Sequence, residues 1–161
     1  MTDNRQEGLE IEGARAALFT STFISRLEKS LQRLVGRSHS QILMEAGRDE
    51  GKRLYSVFEG SFEDKFKHLI KYLEMCSLGR ITKYVIDTEN TGASLVVEDS
   101  FFAFSYRDRF GNSPRPVCDF IRGLLRGMFE SEYHREFVVR EELCAAQGHS
   151  NKCRFSVFPA Y

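Results

Sequence analysis

Three cysteines and an acidic pair in the C-terminal third of this chain have the side chains and spacing to hold a metal. Cys144 and Cys153 bracket a polar turn that contains a glycine, and two glutamates lie just before the first of them. Cys118 lies upstream. Three thiolates and one carboxylate form a closed set of four ligands that suits zinc, and such a set leaves no position for a reacting water. The spacing therefore predicts a structural zinc site at the ends of a β-hairpin.

Two other interpretations of these residues stay open. The three cysteines could be independent structural thiols with no metal between them. The carboxylate could come from Glu141 or Glu142, and because adjacent residues in a strand face opposite ways, only one of the two points inward. We expect His149, in the turn, to be an exposed loop residue in preference to a ligand.

Length and charge set the broad class. A chain of 161 residues fits one domain with a substantial core. Its 23 basic and 23 acidic residues are mixed along the chain, so we expect no direct binding to nucleic acid. The N-terminus is polar and no apolar run approaches about 18 residues, which predicts neither a signal peptide nor a membrane span. We therefore expect a cytoplasmic protein whose cysteines are thiols or metal ligands.

The order of elements predicts an α+β domain at residues 13–161 after a flexible N-terminus at 1–12. Helical periodicity covers residues 23–35, 38–58, 62–79 and 117–129, and Ser21 or Thr22 can cap the first of these helices. Strand patterns cover residues 14–19, 81–86, 93–97, 101–106, 137–139 and 154–158. These elements predict an antiparallel sheet, made of a meander plus a C-terminal hairpin, packed against a layer of helices.

Glycines recur four residues apart in two of the predicted helices. Gly47 and Gly51 share one face of the second helix, and Gly123 and Gly127 repeat the spacing later. Glycine inside a helix costs about 1 kcal/mol relative to alanine. The pairs indicate either close approach by another helix, a partner chain or a ligand, or simple tolerance of glycine. On the third helix, Cys76 is expected to be a buried core thiol.

Three segments of the chain together resemble the 4-vinyl reductase domain, also described as a hydrocarbon-binding domain. They are residues 42–51, 116–123 and 141–155, within a match that runs from about 36 to 158. The last segment is the most specific, because an acidic-x-x-Cys motif, a glycine and a Cys-x-Phe motif occur together in it.

The resemblance implies a fold similar to that of transport-particle subunits, often dimeric through its helices. Members include sensory domains of aromatic-responsive bacterial activators, which bind small hydrophobic molecules and hold zinc near the C-terminus. Carried over by position, the zinc ligands are Cys118, Glu141, Cys144 and Cys153. This chain departs from the pattern with His149 after the glycine and with one residue more between the last two cysteines. It shows no ATPase or DNA-binding segment, so we expect a stand-alone domain.

Aromatic residues on the predicted meander and the following helix suggest a ligand pocket between the layers. The candidates are Phe101, Phe102, Phe104, Tyr106, Arg107, Phe110, Phe120, Leu124 and Met128. Arg107, Arg109 or Arg115 could anchor a carboxylate or a phenol oxygen. The alternative is that these apolar side chains simply fill the core, and the sequence alone favours that alternative.

The sequence as a whole predicts a zinc-stabilised, homodimeric domain that binds a small hydrophobic ligand. Two alternative functions remain open. One is a protein–protein assembly adaptor resembling the transport-particle subunits, and the other is a tetrapyrrole-binding protein linked to (bacterio)chlorophyll metabolism. An enzyme is not favoured, since the chain has no phosphate-binding loop, nucleophile elbow or dinucleotide fingerprint.

Overall fold

The computed structural model describes residues 9–161 of the chain. The helices are α1 (Ser21–Val35), α2 (Ser38–Val57), α3 (Phe62–Met75), α4 (Phe101–Phe110) and α5 (Asp119–Tyr133). The strands are β1 (Glu10–Ile11), β2 (Ala14–Arg15), β3 (Arg80–Asp87), β4 (Gly92–Glu98), β5 (Phe137–Leu143) and β6 (Lys152–Pro159). Strands β1 and β2 pair with each other, and the remaining four form an antiparallel sheet in the order β3-β4-β6-β5. The predicted α+β class is confirmed.

One face of the four-stranded sheet forms part of the core. Strand β5 buries Phe137, Val139 and Glu141 and exposes the residues between them. Strand β6 buries Cys153 and Phe155 in the same alternating way. Because side chains alternate across a strand, this register places a carboxylate and a thiol on the same buried face as the apolar core.

Helices α2 and α5 pack backbone to backbone through the two glycine pairs. A Cβ atom added at Gly47 or Gly51 would overlap the carbonyl oxygen of Phe120 or Leu124 on α5. A Cβ atom at Gly123 would overlap the Met44 carbonyl oxygen on α2. Of the two interpretations of the glycine pairs, the structure therefore supports close approach by another helix. This packing fixes the axis of α5, whose first turn begins at the cysteine cluster.

The predicted strand at 101–106 is wrong, because this segment is the first part of α4. The Ser100 hydroxyl accepts a hydrogen bond of 3.5 Å from the backbone N–H of Ala103 and so caps the helix. A short apolar run fits a strand and a buried helix equally well, and here the cap favours the helix. The meander is consequently reduced to β3 and β4, with β6 as the next strand in the sheet.

Several predicted boundaries also differ from the structure. The strand expected at 14–19 is limited to Ala14–Arg15, and α1 is capped by Thr20, whose hydroxyl accepts a 3.2 Å hydrogen bond from Phe23 N. Helix α5 begins at Asp119, not at residue 117. Cys76 is half-buried at the C-terminal cap of α3, which corrects its expected place in the core.

The structure describes only part of the N-terminal segment that was expected to be flexible, residues 1–12. Residues 1–8 of the N-terminus expected to be flexible lie outside the described residues, and Glu10–Ile11 form β1. Across residues 9–161, no helix is long and apolar enough to cross a membrane.

Helix α1 turns part of its apolar side outward, although Ile24 packs against the core and Leu31 is half-buried. Phe23, Leu27 and Leu34 are 48%, 46% and 81% exposed. Ser25 and Glu28, which lie at helical spacing on another side, are instead buried against the rest of the domain. An amphipathic helix normally buries its apolar side, so α1 both leaves an apolar surface uncovered and brings a carboxylate inside.

Candidate metal centre and adjoining cavity

The four residues predicted as metal ligands lie together in the structure. One ligand atom from each of Cys118, Glu141, Cys144 and Cys153 lies within 4.8 Å of every other, and all four residues are buried. The three cysteines are completely buried and Glu141 is 6% exposed. Such a cluster of three sulfurs and one carboxylate is the set expected for a closed tetrahedral site.

Three separate elements bring these side chains together. Cys118 immediately precedes α5 as its N-terminal cap, and Glu141 lies on β5. Cys144 follows β5 directly, and Cys153 lies on the paired strand β6. The β5–β6 register shifts between Glu141 and Leu143, which is a β-bulge next to the cluster. Bulges commonly re-aim side chains beside functional sites, and this one lets Glu141 and Cys144 face the same point.

The turn between the two strands also has a defined conformation. A single 3₁₀ turn covers Ala145–Gln147, and Gly148 follows it with a φ of 83°. This left-handed conformation suits glycine and ends the 3₁₀ turn. The turn places the backbone N–H of Ala145 3.3 Å from Cys153 Sγ, so it donates a hydrogen bond to that sulfur.

Hydrogen bonds within the cluster already link α5 to the hairpin. The backbone N–H of Cys118 donates a 3.1 Å hydrogen bond to Glu141 Oε2. The Sγ atoms of Cys118 and Cys153 are 3.7 Å apart, and the Ser100 hydroxyl lies 3.2 Å from Cys118 Sγ. All the cysteines in the described part of the chain are free thiols.

The pKa values in the cluster diverge strongly. Hydrogen bonds from Cys118 and Cys144 lower the pKa of Cys153 to about 5, whereas burial raises the pKa of Cys118. Burial, with the nearby Cys144, raises the pKa of Glu141 to about 8. Without a cation the ligand atoms of the cluster therefore do not all ionise in the same pH range. Metal ligands must be deprotonated to bind, so a divalent cation would displace the remaining protons.

The chemistry of the donor set fits zinc. Glu141 Oε1 is buried and, among residues 9–161, has no hydrogen-bond partner. A buried acceptor without a donor is costly, and a coordinated cation would satisfy it. Soft thiolates with one carboxylate match zinc rather than magnesium or calcium, which take oxygen ligands.

The other polar residues near the hairpin point away from this cluster. Glu142 is exposed, and its Oε1 accepts a 2.7 Å hydrogen bond from the Ser156 hydroxyl. His149 is also exposed in the turn. Of the two candidate carboxylates, Glu141 is the one that lies inside.

A cavity of about 430 Å³ opens beside the cluster, between α1, α4 and the segment that leads into α5. Val117 and Asp119 both line this cavity, and they flank Cys118, which belongs to the cluster. The same segment is held to the hairpin turn, because Ser113 N donates a 2.8 Å hydrogen bond to the Ala146 carbonyl oxygen. One wall of the cavity is thus continuous with the candidate metal centre.

Two of the nine residues proposed from sequence for a ligand pocket line this cavity. They are Tyr106 and Phe110 on α4, with ring centroids 5.3 Å apart. Arg107 is also on α4, but it donates a 3.2 Å hydrogen bond to the Ala145 carbonyl oxygen and so braces the hairpin turn. Of the other arginines considered as anchors, Arg115 lines the cavity.

The other six candidates lie elsewhere in the structure. Leu124 and Met128 are completely buried in the core, and Phe102 is 7% exposed and packs against Phe120 with ring centroids 5.6 Å apart. Phe101 and Phe104 are half-buried. Five of these side chains belong to the core or pack against it, as in the alternative that the sequence favoured. Phe104 is the exception, and its ring lies 5.1 Å from the guanidinium carbon of Arg107.

Residues that the sequence reasoning did not assign to a site complete the cavity. Ser25 and Glu28 of α1, Ser113 and Asp119 line it, and all four are buried. Asp119 forms a 2.8 Å ion pair with Arg122, one helical turn further along α5. The sequence pattern that could have indicated the role of α1 in the cavity is the set of polar residues at positions 25, 28 and 32, which share a helix face. A polar helix face is normally expected to be solvated, so this pattern does not by itself predict burial.

Comparison with known families confirms the resemblance over residues 95–159, and the segment at 42–51 lies outside the matched residues. Residues 95–159 match the family model of the 4-vinyl reductase domain, and this segment contains all four residues of the cluster. No curated protein matches the chain.

Three solved structures share the fold at low sequence identity. The phenol-responsive sensory domain of the transcription activator PoxR, in a crystal structure with phenol, is 23% identical with a TM-score of 0.81, over 91% of this chain and 78% of that one. A vinyl-4-reductase family protein from Methanocaldococcus jannaschii is 22% identical, with a TM-score of 0.62 over 91% and 85%. A trafficking protein particle complex subunit 3 from Naegleria fowleri, covalently bound to palmitic acid, is 17% identical, with a TM-score of 0.58 over 88% and 95%.

Proposed function

Because residues 95–159 of this chain match the 4-vinyl reductase domain, we propose that it is a small-molecule-binding domain of the sensory type, stabilised by a structural zinc ion. One observation carries the proposal. The cavity beside α1 and the cysteine cluster share a wall, since Val117 and Asp119 line the cavity and Cys118 between them belongs to the cluster. A metal held there would fix one side of a binding cavity.

The zinc would be held by Cys118, Glu141, Cys144 and Cys153. All four ligands come from the protein, so the ion has no open position and supplies a rigid cross-link, not a reaction. The cross-link joins the start of α5 to the β5–β6 hairpin, a contact between segments distant in sequence. Binding free energy at such a site contributes directly to folding.

The proposed ligand is small and has an apolar part. A cavity of about 430 Å³ lies within the range of small-molecule sites. Tyr106 and Phe110 supply aromatic surface, and Leu43 and Val117 supply aliphatic surface. The PoxR domain was crystallised with phenol, which supports a ligand of similar size for this fold.

We further propose that the domain acts as a homodimer through α1. The exposed apolar side chains of α1, among them Phe23, Leu27 and Leu34, form a surface of the kind that a partner normally covers. A two-fold interface would place the same surface of each protomer against the other.

Native mass spectrometry of the purified, untagged chain tests these proposals in one measurement. We expect a dimer that carries one zinc per chain, and a mass shift when phenol, as the aromatic probe, is added. A metal-free chain that stays folded after zinc is supplied would overturn the zinc site. Failure to bind any member of a panel of neutral and charged aromatic probes would overturn the binding function.

A further inference from the structure

The cavity beside α1 is acidic inside and basic at its mouth. Glu28 and Asp119 line it and are 9% and 6% exposed. Arg37 and Arg115, which also line it, are exposed. A ligand that enters the cavity therefore meets exposed cations first and buried carboxylates at its inner end.

Glu28 is the carboxylate without a partner. Its Oε1 is buried and, among the described residues 9–161, accepts no hydrogen bond. Asp119 differs, because it pairs with Arg122 at 2.8 Å. A buried carboxylate oxygen left unsatisfied costs free energy, and such a group in a cavity indicates a partner that the protein itself does not supply.

The surroundings of Glu28 favour a positively charged partner. Burial, followed by the negative charge of Asp119, raises the pKa of Glu28 to about 7. A cation placed beside Glu28 would offset both causes at once, since it pairs with the buried charge and screens the repulsion from Asp119. An anion in the same place would add to the repulsion, and an apolar group would leave Glu28 Oε1 without a partner.

The aromatic wall can also accept a cation. The Lys29 ammonium nitrogen lies 5.8 Å from the ring centroid of Tyr106 and 5.2 Å from that of Phe110. These distances are within the range of cation–π contacts. Because the Lys29 ammonium already lies over these rings, the apolar body of a ligand would pack beside it or displace it while the charged end of the ligand reaches Glu28.

We propose that the cavity binds a small organic cation, with an ammonium or amidinium group at Glu28 and an apolar body against Tyr106 and Phe110. This inference rests on the proposed small-molecule function and names its ligand class. The charged and titratable groups that line the cavity besides Glu28 are Lys29 on α1, Arg37 and His39 around the start of α2, Tyr106 on α4, Arg115 in the loop and Asp119 on α5.

Calorimetric titration of the zinc-loaded protein at pH 8 with benzylamine and benzyl alcohol tests the inference. The two probes have nearly the same shape and differ in the charge of one group. We expect benzylamine to bind at least about tenfold more tightly, because a charge-assisted hydrogen bond to a carboxylate is stronger than a neutral one. We expect the Glu28→Gln variant to lose this preference.

A matched control is Glu63→Gln, because Glu63 is exposed on α3 and pairs there with Lys67. It should keep the preference for benzylamine. The comparison of the two probes on the unaltered protein needs no variant, so it stays decisive even if Glu28→Gln folds poorly. Equal binding of both probes, unchanged in Glu28→Gln, would overturn the cation proposal and leave the small-molecule function standing. Binding of neither probe would overturn the cation proposal too, and phenol binding would then show whether the broader function survives.

Discussion

Cys118 Sγ lies 3.7 Å from Cys153 Sγ, although the two residues are 35 positions apart in sequence. One precedes α5 and the other lies on β6, so the contact ties the helix that packs on α2 to the last strand of the sheet. A metal bridging these sulfurs would stabilise a long-range contact that the hairpin alone does not secure.

Substitution of Cys153 by serine should remove zinc and lower stability. We expect Cys153→Ser to bind zinc at least about tenfold more weakly, because a serine hydroxyl is a poor replacement for a thiolate ligand. Its melting temperature should no longer respond to zinc, whereas a metal that binds only the folded state raises it. Zinc content and calorimetric melting measure both effects. Cys76→Ser is the control, since Cys76 lies outside the cluster, and equal zinc content in both variants would contradict the site.

The two adjacent glutamates should behave differently. Glu141 is buried with its Oε2 accepting from Cys118 N at 3.1 Å, and Glu142 is exposed and bonded to Ser156. We expect Glu141→Gln to weaken zinc binding by about tenfold or more and Glu142→Gln to leave it unchanged, because only the inward carboxylate can reach the ion. Competition with a chromophoric chelator gives both affinities. A larger loss in Glu142→Gln would mean that the strand register around the bulge is different.

The cluster was predictable from sequence because its ligands are rare residue types at a recognisable spacing. The choice of Glu141 followed from the resemblance, and the alternation along β5 places that residue inside. The strand prediction for residues 101–106 was wrong because their apolar run fits both the helical and the strand period. The feature that favours the helix is the N-terminal cap at Ser100. A cap of this kind acts through a single hydrogen bond that the hydrophobic pattern does not reveal.

Glu28 could not be found from sequence for a different reason. The apolar residues of α1 predict an inward apolar side, but the structure buries Ser25 and Glu28 and exposes Leu27. Which side of a helix faces the domain depends on its tertiary neighbours, here α4 and the segment that leads into α5. Periodicity identifies the helix and leaves its rotation undetermined when a second apolar contact, such as a partner chain, is possible.

The glycine-mediated contact between α2 and α5 should tolerate no added methyl group. We expect Gly51→Ala to lower the free energy of unfolding by roughly 1–3 kcal/mol, the range for overpacking in a core, even though alanine favours the helix by about 1 kcal/mol. The cause is the overlap of the new Cβ with the Leu124 carbonyl oxygen. Urea unfolding measures the change. Asp49→Ala, at an exposed position of α2, is the control, and a Gly51→Ala variant as stable as that control would contradict the packing.

In the ligand-free protein, ionisation of Glu28 should lower the free energy of unfolding as pH rises. Folding raises the pKa of Glu28 from 4.5 to about 7, so the folded state favours the neutral carboxyl group. Its contribution to stability is fully present below pH 4.5 and is lost as pH rises through about 7. The pKa difference corresponds to a cost on the order of 3 kcal/mol above pH 7, as an upper bound. Glu28→Gln cannot ionise, so it avoids this cost.

We therefore expect Glu28→Gln to gain stability relative to the unaltered protein as pH rises from 4.5 to 8. The difference between the two proteins is the quantity to follow, because other titrating groups contribute equally to both and cancel. Urea unfolding at several pH values measures it, with Glu63→Gln as the exposed control that should show no such trend. A difference that does not change with pH would mean that Glu28 ionises normally in the fold. A gain that disappears when benzylamine is added would be the result expected if the cation neutralises the buried carboxylate in the unaltered protein.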